Sequence, residues 1–356
     1  MGGVLKTAGG LAGFFLVALA IAWYEPTQTS QIGFNGVGMQ ITDTEERLAD
    51  RWEANQVPVA PPIVKSGPLA SDAYQNVQVL GHLTTGEFVR NMNAITAWVS
   101  PTQGCAYCHD NNDLASDAKY TKVVSRRMLQ MTMHINETWK PHVQETGVTC
   151  FTCHRGNPVP SYIWHEQPED VHASTYLGFG AHQNSPIGSE ALTSLPNNAL
   201  HEFLLDDKDI RLQTTDGPLP SGNHTSIKQT EWTYALMVHF SRSLGVNCTF
   251  CHNSRQWSDW QQSPVQRTTA WQGIRMVRQL NNEWLVPLTD TFPPERKGPT
   301  GDGPKLNCAT CHQGAYKPFF GKSMLPDYPE LAKAVAQPLK TAQAPTPPVG
   351  VAGAAP

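Results

Sequence analysis

All eight cysteines of this 356-residue chain fall in four C-x-x-C pairs, Cys105/Cys108, Cys150/Cys153, Cys248/Cys251 and Cys308/Cys311. A histidine follows each pair at once: His109, His154, His252 and His312. Disulfide frameworks and zinc ribbons use paired cysteines but have no need of that adjacent histidine. C-x-x-C-H is instead the run that carries a covalent c-type haem. The two thiols add across the porphyrin vinyl groups, and the histidine reaches the iron from one face. The sequence therefore predicts four covalently bound haem c groups. Thioether attachment also places the body of the chain outside the bacterial cytoplasm, where such haems are assembled.

An iron with histidine on one side and methionine or histidine on the other is closed to substrate and suited to electron transfer, and a thioether ligand raises its potential. Met92 precedes the first motif and Met237 the third at similar distances, which makes them matched candidates. Before the second motif, Met128 and Met131 share a helix face and Met133 points elsewhere. The segments RRM and IRM align Met128 with Met276, so symmetry alone assigns Met276 to the fourth haem. His142 is the rival. Fourteen residues of helix span about 21 Å, so Met128 and His142 belong to different irons if both are ligands. His82, His134, His165, His172, His182, His201, His224 and His239 lack a motif and read as surface or hydrogen-bonding core residues. Arg267, Arg275 and Arg278 read as a solvated basic face, with haem propionates as the other possible partners.

The elements that position these residues form a repeat. A capped helix begins at Thr84/Thr85 with Glu87, and a second runs from about Ser116 to Trp139, stopping before Pro141. Further helices are expected at Ser226–Leu244 and about Val265–Trp284. Helix, motif, helix, motif thus occurs twice. The fold class expected is mainly α with extensive irregular loops: a multihaem cytochrome c of two pseudo-symmetric dihaem halves, plus one N-terminal transmembrane helix. The divisions are 1–24, a membrane anchor; 25–80, an extended N-terminal segment with a possible short helix at Asp43–Ala54; 81–160, the first dihaem half; 161–225, a connector with a strand at Ile210–Thr214; 226–331, the second dihaem half; and 332–356, a disordered Ala/Pro-rich tail. The apolar run at 8–24 is at the lower limit for a span. Ala18-Leu19-Ala20 offers a rival signal-cleavage site, while Trp23, Tyr24 and Lys6 favour a retained anchor with a cytoplasmic N-terminus. Hydrophobic residues make up only 40%, with 28 Gly and 28 Pro, in keeping with much loop. The net charge of -4 gives no reason to expect a nucleic-acid partner.

The runs WVSPTQGCAYCHD, TGVTCFTCHRG, SLGVNCTFCHN, AWQGIRMVRQLN and CATCHQG, with the late DYPEL, resemble the tetrahaem cytochrome subunit of purple bacterial photosynthetic reaction centres over about residues 31–331. The resemblance implies an electron-transfer subunit rather than an enzyme, on the periplasmic face of the photosynthetic membrane. Its implied partners are the reaction-centre L and M subunits, with H and light-harvesting 1 in the assembly. It implies a soluble cytochrome c or high-potential iron–sulfur protein as donor, and the bacteriochlorophyll special pair as acceptor. It also implies axial pairs Met92/His109, Met128/His154, Met237/His252 and His142/His312, leaving Met276 as a packing residue. The haems would lie in a near-linear row, with the third motif's nearest the special pair, then the fourth, second and first. Known members carry a lipidated N-terminal cysteine. AIAWYEPTQTSQIGF has none, which again favours a retained helix. A membrane-anchored tetrahaem quinol dehydrogenase is the alternative class, and a multihaem reductase would need an open iron.

Overall fold

The structure, a computed structural model, describes residues 13–18, 25–168, 182, 187–188, 195–210 and 225–333. The expected anchor (apart from 13–18, which are helical), most of the strand at Ile210–Thr214 and nearly all of the tail lie outside the described residues. No helix among the described residues is long and apolar enough to cross a membrane.

The segment after residue 25 is not simply extended. Strands β1 (Thr27–Ile32) and β2 (Met39–Thr44) pair antiparallel, Thr27 opposite Thr44 and Ile32 opposite Met39. Gly33 (φ 105°) and Gly36 (φ 79°) turn the chain between them. Helix α1 (Glu45–Ala54) follows, its N-terminus capped by the Thr44 side chain, which accepts from the Arg47 N–H, and with Glu45 and Glu46 in its first turn.

Helix α2 (Thr85–Val99) opens with the Thr84/Glu87 capping box expected from the sequence. Helix α3 (Tyr120–Thr138) stops at Trp139, and a new turn, α4 (Lys140–Val143), carries Pro141 in its first turn, where a missing N–H costs nothing. The second motif is itself a short helix, α5 (Cys150–His154). Within the connector, α6 (Ala199–Leu204) places Leu200, Phe203 and Leu204 fully out of solvent. Helix α7 (Thr225–Leu244) precedes the third motif. Helix α8 (Gln266–Gln279) runs on through a π-helical turn, Leu280–Leu285, and the fourth motif forms α9 (Cys308–His312).

Two apolar clusters hold the body together. One joins Met131, Ile135 and Val148 to Leu200, Phe203, Leu236, Met276, Leu280 and Leu306. The other joins Leu80, Trp98, Leu129 and Met133 to Phe319, Tyr328 and Leu331. The segment read as a connector therefore supplies core. Helix α2 packs on α5 as α7 packs on α9, and α8 lies against both α4 and α6.

Two buried asparagines fix where the second and fourth motifs begin. Asn136 donates to the carbonyls of Val148 and Leu331, each at 2.8 Å, and accepts from the Val148 N–H at 2.7 Å. Asn281 donates to the carbonyls of Leu306 and Leu204, each at 3.0 Å, and accepts from the Leu306 N–H at 2.8 Å. Val148 and Leu306 each stand two residues before a motif cysteine. Both amides thus satisfy peptide groups that would otherwise be orphaned in the interior.

Candidate functional site

The four motifs adopt two local forms. The first and third are 3₁₀ turns, Gly104–Tyr107 and Cys248–Phe250. The second and fourth are α-helical with capping boxes at Thr149 and Asn307, and each ends in a left-handed residue, Arg155 or Gln313. Gly314 donates to the Ser243 carbonyl at 2.8 Å, which ties the end of the fourth motif to α7 just ahead of the third. Arg155 donates to the Cys311 carbonyl at 3.0 Å and to Asn55 Oδ1 at 3.2 Å. The sulfurs of Cys153 and Cys311 are 2.9 Å apart, so the second and fourth motifs touch. The β1–β2 hairpin covers the third motif: Met39 N–H donates to Thr249 Oγ1 at 3.0 Å, and Asn247 Nδ2 to the Met39 carbonyl at 2.7 Å.

The cysteines and histidines of all four motifs line one continuous cavity of about 2570 Å³. A pocket for one drug-sized ligand measures roughly 300–1,000 Å³. Met92, Met128, Met131, Met237, Met276 and His142 line the same space.

Five histidines share one arrangement. Nδ1 faces a backbone carbonyl at 2.9 Å in each: His109 with Leu114, His142 with Thr269, His154 with Asn157, His252 with Trp257 and His312 with Ala315. A carbonyl only accepts, so Nδ1 carries the proton and Nε2 keeps a free lone pair, the tautomer a metal-ligating imidazole needs. Burial pushes the His142, His154 and His252 rings toward the neutral form. His312 is pushed down to about 4, by burial first and by neighbouring His142 second. By contrast His134, His182 and His239 face side chains: Gln279, Asn197 and Ser243.

The His142 and His312 rings lie edge to face, with centroids 6.1 Å apart and planes at 65°. Metal–imidazole bonds of about 2.0–2.1 Å would fit an ion between rings at this spacing.

Helix chemistry separates the methionines. Thr96 Oγ donates to the Met92 carbonyl at 2.8 Å, and Thr132 Oγ to the Met128 carbonyl at 2.9 Å. Such back-bonding four residues on gently bends a helix. Met237 also has a hydroxyl residue four positions on, Ser241, whereas Met131, Met133 and Met276 are followed there by Ile135, Glu137 and Leu280. The pattern Met-x-x-x-Ser/Thr is thus shared by Met92, Met128 and Met237. Met131 and Met276 belong to one apolar cluster, and Met133 is 1% exposed in the other.

The RRM/IRM alignment of Met276 with Met128 is corrected by the asparagine clamps. With Asn136 matched to Asn281, INETW (135–139) meets LNNEW (280–284), and Met276 corresponds to Met131. Two contacts share this register: Trp139 Nε1 donates to Gln279 Oε1 at 2.7 Å, and the counterpart pair, Trp284 and His134, have ring centroids 5.3 Å apart. The arginines are partly spoken for within the chain. Arg278 donates to the Phe203 carbonyl and pairs with Asp207, while Arg267 lies over the Trp260 ring at 3.9 Å.

Burial raises the Cys150 and Cys251 thiols to about 11 and Cys308 to about 12. Catalytic or zinc-binding cysteines need the opposite, a stabilised thiolate. A thioether has no ionisable proton and suits such an environment. Covalently held haem thus fits the cavity, the thiols and the histidine tautomers together.

A helical scaffold that gathers C-x-x-C-H motifs and neutral, oriented imidazoles around one cavity is that of a c-type cytochrome. Over residues 24–332 the chain matches the family described as photosynthetic reaction centre cytochrome C subunit. It is 50% identical over 313 residues to the photosynthetic reaction center cytochrome c subunit of Rubrivivax gelatinosus, covering 87% of this chain and 85% of the relative. It is 49% identical over 309 residues to that of Thermochromatium tepidum (86% and 76%) and 42% identical over 334 residues to that of Roseobacter denitrificans (89% and 90%). The chain belongs to this family of reaction-centre cytochrome c subunits. It is an electron-transfer component rather than an enzyme. Membership implies covalently bound haem c and association with a reaction centre and the photosynthetic membrane.

Proposed function

We propose that the chain holds four haems c and passes electrons from a soluble periplasmic carrier, a small cytochrome c or a high-potential iron–sulfur protein, to the photo-oxidised special pair. Cys105/Cys108, Cys150/Cys153, Cys248/Cys251 and Cys308/Cys311 are the thioether residues. The axial pairs are Met92/His109, Met128/His154, Met237/His252 and His142/His312. Haem iron supplies the one-electron chemistry, and the axial set tunes its potential. The chain's own residues fix the imidazole tautomers, place every thiol on the cavity wall and close each sixth position.

The observation that carries this reading is the close approach of His142, from the first half, and His312, from the second, ring centroids 6.1 Å apart, within one cavity that all four motifs line. A chain whose ligands are all supplied internally has no open iron for a substrate. The contact of the second motif with the fourth, and the tie between the fourth and α7 ahead of the third, support a row in the order third, fourth, second, first. On this reading 81–160 and 226–331 are two dihaem halves. The body docks on the L and M subunits with H and light-harvesting 1 nearby, on the periplasmic face, and residues 1–24 serve as an anchor with a cytoplasmic N-terminus.

Flash spectroscopy on membranes carrying the chain tests the donor role. A saturating flash should be followed by haem α-band bleaching matched in time to special-pair re-reduction. Re-reduction without haem oxidation overturns it. A redox titration that resolves four haems, three of higher and one of lower potential, is expected alongside; four low-potential haems refute the ligand set.

A further inference from the structure

One register relates the elements before the motifs. Met237, Asn281 and Trp284 each stand 145 residues after Met92, Asn136 and Trp139. Asn136 and Asn281 each bond both the N–H and the carbonyl of the residue two before a motif cysteine, so the match is structural as well as numerical. The residue standing in this relation to Met128 is Gly273, and the residue standing in this relation to His142 is Pro287. Gly273 lies in the interior of α8, where glycine weakens a helix by about 1 kcal/mol relative to alanine, and it is buried. The space beside it is filled from the other half of the chain. A Cβ built on Gly273 would lie 2.6 Å from His142 Cε1 and 2.9 Å from its Nδ1. Four residues earlier on the same helix, the Thr269 carbonyl receives the His142 Nδ1–H.

We infer that Gly273 decides which ligand the fourth iron takes. Where the first half carries the Met128 side chain, the second carries none, and the backbone of α8 becomes a seat for the His142 ring. Gly273 admits the ring, and Thr269 sets its rotation and its tautomer. Met→Gly on one helix and Pro→His on the loop are complementary exchanges that convert a methionine site into a bis-histidine site. Gly273 is thus a positioning residue that acts through the His142 ring. The inference rests on His142/His312 being an axial pair.

The test uses the full holoprotein in membranes, read by electron paramagnetic resonance and redox titration. Gly273→Ala should shift the low-spin signal and the midpoint potential of one haem and leave the other three in place. His142→Gly/Gly273→Ala should behave as His142→Gly alone, because the alanine then meets no ring. His142→Gly/Gly273→Met should restore a sixth ligand to the fourth haem, with a methionine–iron charge-transfer band and a midpoint above that of the parent. Gly273→Ala without effect on any haem, beside a His142→Gly that alters one, overturns the inference and leaves the axial pair standing. If His142→Gly alters no haem, the axial pair fails and the inference with it. Should Gly273→Ala fail to accumulate, recovery of holoprotein in the double variant with His142→Gly supports the clash, and no recovery refutes it.

Discussion

Replacing Asn136 with alanine should loosen the second motif about as much as truncating a large buried apolar side chain nearby. The amide makes three hydrogen bonds of 2.7–2.8 Å in the interior, and Asn136 is 3% exposed. Val148 is 8% exposed and Leu331 fully buried, so the freed N–H and two carbonyls have little access to bulk water. A buried polar group left unpaired costs about 1–3 kcal/mol. Water entering the vacated space can recover part of this, which brings the expected loss to about 3 kcal/mol. That is a large share of the roughly 5–15 kcal/mol by which proteins of this kind are held folded. Val148 is two residues from Cys150, so the damage should be local as well as global. The assay is chemical denaturation of purified holoprotein followed at the haem Soret band, with redox titration of the second haem in parallel. A stability change below about 1 kcal/mol, with no movement of that potential, would refute the role of the clamp.

Ligand deletions should be separable by haem: Met128→Leu should lower the potential of the second haem alone and His142→Leu should alter the fourth alone, checked by optical redox titration. His142→Leu with four unchanged spectra would reject the cross-half ligand. Gly245→Ala should sharply reduce accumulation of holoprotein, because Gly245 sits at φ +65° and a Cβ there would lie 2.1 Å from the Gly314 carbonyl oxygen; the left-handed conformation alone costs a non-glycine residue about 1–2 kcal/mol. Asp117 accepts from Arg126 at 2.8 Å, a bond that holds its carboxyl below the usual carboxylate range. Its contribution to stability is therefore fully present above about pH 4 and is lost as pH falls through the depressed value. Asp117→Asn should flatten that acid limb in denaturation curves, and an unchanged limb would remove Asp117 from the account.

What was legible in the sequence was what is decided locally. The C-x-x-C-H runs, the Thr84/Glu87 capping box and the stop before Pro141 each depend on residues a few positions apart. The β1–β2 hairpin escaped because TQTSQI and MQITDT are exposed for most of their length and show no apolar alternation. It is held instead by Asn247, Thr249 and Ser254, some two hundred residues away. Leu200, Phe203 and Leu204 were passed over for a similar reason: a six-residue helix among turn residues has too short a period to read, yet long-range packing buries it completely. Met276 pairs with Met128 on the three letters of RRM and IRM, whereas the register of Asn136 with Asn281 and Trp139 with Trp284 pairs it with Met131.

The cross-half ligand has a consequence for assembly. His142 sits on α4, a four-residue turn with little stability of its own, and its seat is the backbone of α8. Until α8 is folded and Asn281 has fixed the start of the fourth motif, no ring can be presented to His312. Metal–ligand bonds formed only in the folded state add their binding free energy to folding. On the proposed ligand set, closing the fourth iron would therefore stabilise contacts between the halves that their surfaces must otherwise hold alone. It would do so at the point where Cys153 meets Cys311 and Arg155 meets the Cys311 carbonyl. On the proposed ligand set, three irons closed from within their own half and one closed from the other half would make two similar units behave as one conductor.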